Sequence, residues 1–162
     1  MIIQNPKYAS PQADGEQDPH RVLIVDDEHA ICFAYSRLLE SERFGFDICD
    51  SVTAAIELLN SNQYFAVISD VRFAGSDNAD GVYLVTCVNA LQPQAKIILV
   101  TGYGSEELKK TAEELGVAHY IEKPIDPSLI LSLLRTLHLI ADEQEENQVF
   151  KAIIPSCMDW NN

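Results

Sequence analysis

Positive charge is scarce in this sequence, which has 11 Lys and Arg residues against 25 Asp and Glu residues and a formal net charge of −14 at pH 7. The few basic residues are not gathered into a patch. Proteins that bind nucleic acid directly need clustered Lys and Arg to neutralise phosphates. Direct contact with nucleic acid is therefore not expected.

Long apolar runs are also missing. No run approaches the roughly 18 consecutive apolar residues of a membrane-spanning helix, and the N-terminus lacks a basic-then-apolar signal pattern. The four cysteines are far apart and form no C-x-x-C pair, which argues against a disulfide framework or a zinc site. We expect a cytoplasmic protein with reduced thiols and no membrane partner.

The 162 residues predict one domain with extensions. Residues 1–19 contain three prolines and no apolar period, and they are predicted to be a flexible N-terminal tail. Residues 20–140 form the predicted domain. Residues 141–162 begin with a charged run and continue with apolar residues. This C-terminal extension either docks on the domain, packs against a second copy or is the remnant of a lost extension, and the sequence leaves the choice open.

Within the domain, strand and helix patterns alternate five times. The predicted strands cover about 21–26, 46–52, 64–69, 95–100 and 117–121. Helices are predicted at about 28–43, after Thr53 as N-cap, at 82–91, from Ser105 to a left-handed Gly116, and at 126–140. Alternation with short connections predicts an α/β protein, in which one parallel sheet has helices on both faces.

Chemically active side chains stand where the predicted strands end. Asp26 and Asp27 follow the first strand, Asp70 the third, Thr101 ends the fourth and Lys123 follows the fifth. The carboxyl ends of parallel strands share one edge of the sheet, so these groups should converge. Two adjacent acids about 4 Å apart repel by roughly 4 kcal/mol at an effective dielectric near 20, which favours a cation between them.

Such a set of groups suits phosphoryl transfer. Hard carboxylate oxygens select Mg²⁺ or a similar cation. Asp70 would attack phosphorus, and Thr101 and Lys123 would bind the phosphoryl oxygens. Each residue alone also has a plain structural explanation, as a cap, a strand end or a solvated lysine. Glu28 is assigned to the start of the first helix, outside the site.

Four stretches together resemble the receiver domains of two-component response regulators, over about residues 20–140. They are Val22-Leu-Ile-Val-Asp-Asp-Glu28, Val67-Ile-Ser-Asp70-Val, Ile97-Ile-Leu-Val-Thr101-Gly and Tyr120-Ile-Glu-Lys123-Pro124. The resemblance implies a flavodoxin-like (βα)5 three-layer sandwich, with a parallel five-stranded sheet of order 2-1-3-4-5. It also implies a cis bond between Lys123 and Pro124.

The same resemblance implies phosphorylation of Asp70 by a sensor histidine kinase or a histidine phosphotransfer protein. Mg²⁺ would be held by Asp27, Asp70 and the backbone carbonyl of Arg72, with Asp26 acting partly through water. Such a protein is a self-phosphorylating and self-dephosphorylating switch, not a turnover enzyme.

The resemblance further implies a switch formed by Thr101 and Tyr120. The hydroxyl moves toward the phosphoryl group and the ring turns inward, which repacks the face of the fourth helix, fifth strand and fifth helix for a downstream protein target. A homodimer through this face and the C-terminal extension is a further expectation. Arg72 and Tyr103, at the mouth of the site, are expected to hinder attack of water on the acyl phosphate.

The sequence departs from the family pattern after Asp70, where Ala74 replaces the usual proline and the loop is about three residues longer than in the family. Three alternative functions stay open. The first is a receiver fragment of a longer regulator or hybrid kinase, the second is a phosphorylation-independent interaction module, and the third is an aspartyl-phosphate hydrolase. The last is disfavoured because Arg72 stands where such enzymes carry a second acid.

Overall fold

The computed structural model describes residues 2–4, 21–42, 44–71 and 79–138. The strands are β1 (Ile2–Gln4), β2 (Val22–Val25), β3 (Phe46–Cys49), β4 (Ala66–Asp70), β5 (Lys96–Thr101) and β6 (His119–Glu122). The helices are α1 (His29–Glu42), α2 (Val52–Ser61), α3 (Ala79–Leu91), α4 (Glu106–Glu114) and the described part of α5 (127–138). Within these ranges, no helix has both the length and the apolar character needed to cross a bilayer.

The strands form one sheet of order β1-β3-β2-β4-β5-β6. The last five strands along the chain are parallel, and their order is the predicted 2-1-3-4-5. The register keeps their carboxyl ends level, since Val25 lies opposite Ser69 and Thr101 opposite Glu122. The predicted fold class, a flavodoxin-like sandwich, is therefore confirmed.

Strand β1 corrects the prediction of a flexible tail over residues 1–19. Residues Ile2–Gln4 pair antiparallel with β3, with Ile3 opposite Ile48. Without them, the outer edge of β3 would expose a row of backbone donors and acceptors. Three residues are too few for a periodic pattern, so this strand could not be predicted from the sequence. Residues 5–19 and the predicted extension 141–162 lie outside the described residues.

The core lies on both faces of the sheet, as the continuous apolar run of β2 predicted. Leu23 and Val25 face α2, α3 and α4, whereas Val22 and Ile24 face α1 and α5. All four side chains are 0% exposed. Burying each of them contributes roughly 1.5–3 kcal/mol. Core packing on both faces thus fixes the position of β2. Asp26, which follows β2, is therefore held in place at the carboxyl edge of the sheet.

Helix ends follow the predicted capping rules with one shift. Ser105 caps α4 by accepting a hydrogen bond from the backbone N–H of Leu108, and Gly116 lies in the left-handed region with φ 77°. Helix α2 is capped by Ser51 and not by Thr53, because β3 already ends at Cys49 and the chain turns at once. The early turn starts α2 two residues before the predicted position.

Gly81 allows a close approach between α3 and the chain that leaves β4. A Cβ added to Gly81 would lie 2.6 Å from the Cα and 2.7 Å from the carbonyl oxygen of Val71. These are backbone atoms of the residue after Asp70, so they cannot move without disturbing the site. We expect Gly81→Ala to lower the free energy of unfolding by about 1–3 kcal/mol, as overpacking does.

Urea unfolding followed by circular dichroism measures this loss. Gly102→Ala is the matched control, because an added Cβ there meets nothing within 4 Å. Equal stability of the two variants would show that the contact between Gly81 and Val71 relaxes without cost.

Candidate functional site

Four neighbouring strands bring their polar carboxyl ends together at one edge of the sheet. Asp26 follows β2, Asp70 ends β4, Thr101 ends β5 and Lys123 follows β6. Asp26 is 4% exposed, Asp70 7% and Thr101 0%. Parallel pairing alone accounts for the convergence, because each strand delivers its last residue to the same side. Among the groups expected to meet, the structure brings Asp26 and Asp70 into contact with Lys123, and Thr101 is joined to Lys123 through its backbone carbonyl oxygen.

The Lys123 ammonium lies among three carboxylates. Its Nζ atom is 2.7 Å from Asp70 Oδ2, 3.1 Å from Glu28 Oε1 and 3.5 Å from Asp26 Oδ2. The Lys123 backbone N–H donates to the Thr101 carbonyl oxygen at 2.7 Å, and the bond to Pro124 is cis, as the resemblance implied. One cation therefore partly balances three acids at this edge.

Glu28 is a site residue that the sequence analysis missed. Helix α1 begins at His29, and the turn before it is closed by the Glu28 N–H, which donates to Asp26 Oδ1 at 2.8 Å. This turn directs the Glu28 side chain toward Lys123. Sequence position offered no signal, because an acid just before a helix is favourable for the helix alone.

The acids fit a hard divalent cation. Among the described residues, Asp26, Glu28 and Asp70 have carboxylate oxygens that all lie within 4.8 Å of one another. Oxygen donors at this spacing suit Mg²⁺ or Ca²⁺. Asp27 is partly buried and is not in this group. Its predicted role as a direct metal ligand stays a prediction, and Arg72, the predicted carbonyl ligand, lies outside the described residues.

The charge balance of the site appears in its pKa values. Burial raises the pKa of Asp26 to about 6, although the Glu28 N–H and the Lys123 charge act in the opposite direction. Burial alone would lower the pKa of Lys123. The hydrogen bond to Asp70 and the negative charge of Asp26 raise the pKa by more than burial lowers it, so the net pKa is above its usual value. Lys123 is therefore a permanent cation, and Asp26 is the acid whose ionised form the folded protein disfavours.

Asp26 should make the metal-free protein less stable as the pH rises. The pKa of Asp26 is about 6 in the folded state, against 3.8 for an ordinary aspartate, so proton binding by Asp26 stabilises the folded state. This stabilisation is present at low pH and is lost as the pH rises through 6. We therefore expect Asp26→Asn to raise the free energy of unfolding at pH 7 by about 2–3 kcal/mol in the absence of divalent cations.

Urea unfolding in a chelator at several pH values between 4 and 7.5 measures this effect. Glu57→Gln serves as the control, since it removes one exposed acid on α2, away from Lys123. A gain that is the same at pH 4 and pH 7 would contradict the assignment to Asp26 ionisation.

The two predicted switch residues occupy neighbouring strands. Thr101 Oγ1 accepts a hydrogen bond from the Tyr103 N–H at 3.1 Å, and Tyr120 lies on β6 opposite Leu99. Tyr120 is partly buried and packs against the core cluster on the α2, α3 and α4 side of the sheet. Tyr103, predicted to stand at the mouth, is 66% exposed. Its predicted companion Arg72 is outside the described part of the chain.

Comparison with known proteins agrees with the fold and the site. The family model of the response regulator receiver domain matches residues 22–135. The chain belongs to this family, whose members are the receiver domains of two-component response regulators.

One relative is a putative NtrX-like response regulator of Rickettsia felis, 30% identical over 126 residues, which cover 78% of this chain and 26% of that protein. The chain thus spans about a quarter of the length of that curated relative. Among solved structures, a CheY-like receiver domain protein of Methanospirillum hungatei JF-1 superposes with a TM-score of 0.69 at 28% identity, covering 80% of this chain and 99% of that one.

A second similar structure is a response regulator of Burkholderia pseudomallei that contains a phosphorylated aspartic acid, a calcium ion and citrate. Its TM-score is 0.65 at 25% identity, and the match covers 80% of this chain and 75% of that one.

Proposed function

We propose that this chain is a phospho-acceptor switch of a two-component phosphorelay, and that Asp70 receives the phosphoryl group. The donor is a phosphohistidine of a sensor histidine kinase or of a histidine phosphotransfer protein. The observation that carries the proposal is the 2.7 Å contact between Lys123 Nζ and Asp70 Oδ2 at an acidic edge of the sheet. The phosphorylated aspartic acid of the similar Burkholderia pseudomallei regulator supports it.

The reaction needs a nucleophile, charge balance and alignment. An Asp70 carboxylate oxygen forms a bond to phosphorus while the bond between phosphorus and the donor imidazole nitrogen breaks, and the electron pair of that bond returns to the imidazole. Lys123, already at Asp70, neutralises the phosphoryl oxygens as they arrive. Asp26, Asp27 and Asp70, with the Arg72 carbonyl, would hold Mg²⁺, which supplies further positive charge to the phosphoryl oxygens.

The response would pass through Thr101 and Tyr120 to the face formed by α4, β6 and α5. Thr101 Oγ1 would leave the Tyr103 N–H for a phosphoryl oxygen, and the Tyr120 ring would fill the space that opens. The Tyr120 ring supports this route, because it is partly buried and packs against the core cluster between the sheet and helices α2, α3 and α4. This face is the proposed contact for a downstream protein, and for a second copy of the chain.

We infer that the protein is a switch in the cytoplasm and not a turnover enzyme. A second candidate is the receiver portion of a longer regulator, which the coverage of about a quarter of the Rickettsia felis relative favours. In both cases Asp70 performs the same chemistry, and only the element that reads the switch differs.

Incubation with acetyl phosphate and Mg²⁺, followed by intact mass measurement, tests the proposal. We expect wild type to gain one phosphoryl group and Asp70→Asn to gain none. Asp50→Asn is the matched control, since Asp50 directly follows β3 on the same edge of the sheet. Equal modification of wild type and Asp70→Asn would contradict the assignment. An unmodified wild type would favour the interaction module.

A further inference from the structure

Glu28 differs from the other two acids that contact Lys123. The side chains of Asp26 and Asp70 are 5% and 8% exposed, whereas that of Glu28 is 60% exposed. Lys123 itself is 18% exposed. Glu28 thus reaches the ammonium from the solvent side, at 3.1 Å, while the two aspartates reach it from inside the sheet edge.

Phosphorylation would change the partners of Lys123. Once Asp70 carries the phosphoryl group, its carboxylate becomes an acyl phosphate and loses its own charge. The ammonium then has to follow the phosphoryl oxygens. Asp26 is the more distant partner, at 3.5 Å, and its other oxygen is held by the Glu28 N–H. The Glu28 side chain, with three rotatable bonds, is long enough to stay with the ammonium as it moves.

We propose that Glu28 is a positioning residue for Lys123, and that its carboxylate holds the ammonium over the site before and after Asp70 is phosphorylated. This inference rests on the proposed function. Glu28 also brings negative charge close to an anionic phosphoryl group, which has the opposite effect. Because the carboxylate is mostly exposed, water and salt screen that repulsion. We therefore expect the direct contact between Glu28 and Lys123 to outweigh the repulsion between Glu28 and the phosphoryl group.

Two variants separate contact from charge. Glu28→Gln keeps the length of the side chain and removes its charge. Glu28→Asp keeps the charge but is one methylene shorter, so the contact at 3.1 Å is lost. Glu57→Gln is the control, because it removes one exposed negative charge on α2, away from Lys123. A positioning role predicts that the environment of the Lys123 ammonium and the affinity for a phosphoryl mimic both change in the two Glu28 variants, in the same direction. The control variant should show neither change.

The first measurement needs no phosphorylation. The nitrogen chemical shift of the Lys123 side-chain ammonium, recorded by NMR in the metal-free protein, should move in both Glu28 variants and stay unchanged in Glu57→Gln. The second measurement is the affinity for beryllofluoride, a phosphoryl mimic, at saturating Mg²⁺. Both Glu28 variants should bind it about three- to fivefold more weakly, the scale of a partly exposed ion pair.

The outcomes distinguish the two proposals. Failure of wild type to bind beryllofluoride would overturn the proposed function and, with it, the positioning role. Binding by wild type with unchanged or tighter affinity in Glu28→Gln would overturn the positioning role alone. An affinity of Glu28→Asp equal to that of wild type would do the same, since charge without contact would then be sufficient.

Discussion

Replacing Lys123 with methionine should slow phosphorylation of Asp70 by about a hundredfold or more, while the same variant binds Mg²⁺ more tightly. The first effect follows from charge. A preorganised cation that faces developing negative charge is commonly worth about 10²–10³ in rate. Methionine retains much of the length of the lysine stem and removes the ammonium that lies 2.7 Å from Asp70.

The second effect follows from competition for the same carboxylates. In the metal-free site, the Lys123 ammonium contacts Asp70, Glu28 and Asp26, the three acids whose oxygens are close enough to share a cation. A divalent ion has to share these oxygens with the ammonium. Without Lys123 their repulsion is unbalanced, so they gain more from Mg²⁺. We expect the affinity for Mg²⁺ to rise about tenfold, which corresponds to about 1.4 kcal/mol.

Two measurements on one preparation test this pair of effects. Phosphorylation by acetyl phosphate is followed by intact mass, and Mg²⁺ binding by isothermal titration calorimetry. Lys110→Met is the control, because Lys110 is 77% exposed and lies 3.9 Å from Glu114 on the surface of α4. Weaker Mg²⁺ binding by Lys123→Met would show that the lysine orders the acids more than it competes with the metal.

Replacing Asp47 with alanine should destabilise the fold by about 3–5 kcal/mol without changing the chemistry of Asp70. Asp47 is 0% exposed and accepts hydrogen bonds from Arg21 Nε at 2.6 Å and Arg21 Nη2 at 2.7 Å. The Tyr64 hydroxyl also donates to it, at 2.6 Å. Removing the carboxylate leaves a half-buried guanidinium and a buried hydroxyl without this acceptor.

This network ties the starts of three strands, at the end of the sheet away from the phosphorylation site. Arg21 precedes β2, Asp47 lies in β3 and Tyr64 precedes β4. Its loss should therefore appear in urea unfolding and not in the extent of phosphorylation at a temperature where the variant is folded. The surface pair of Arg37 and Glu40 gives the control, because Glu40→Ala should cost less than about 1 kcal/mol.

A combined variant shows whether the loss of stability comes from unpaired polar groups or from lost packing. Asp47→Leu with Arg21→Met and Tyr64→Phe removes the whole network together with the groups that Asp47→Ala leaves unpaired. We expect it to recover most of the lost stability, because replacing a complete buried ion pair is often neutral. If this triple variant is as unstable as Asp47→Ala, the loss comes from a cavity and not from unpaired groups.

The amino-acid sequence by itself determined the strand–helix alternation and the two aspartates, Asp26 and Asp70, that contact Lys123. Continuous apolar runs such as that of β2 are local patterns, and parallel pairing then places every strand end at one edge. For this reason the sequence alone predicts that Asp26, Asp70, Thr101 and Lys123 lie at this edge. The resemblance of the four stretches added the strand order, which local patterns do not contain.

Other features depended on contacts between distant parts of the chain. Gln92, 4% exposed, accepts a hydrogen bond from the Tyr64 N–H and donates to the carbonyl oxygens of Leu59 and Asn62. The sequence around it shows only the end of a helix. Its partners lie about 30 residues away, so no local period could identify it as a buried link between α2, α3 and β4.

The role of Glu28 was decided in the same way. Its sequence position indicates a helix start, and that reading is correct for the backbone. Only the Asp26 turn and the arrival of Lys123 from the far end of the domain bring its carboxylate to the ammonium, 3.1 Å away. Local sequence therefore determined the five parallel strands and the helices between them, whereas β1 and the early start of α2 were not predicted. The side-chain partners at this edge were decided by tertiary structure, because residues 95 positions apart meet there.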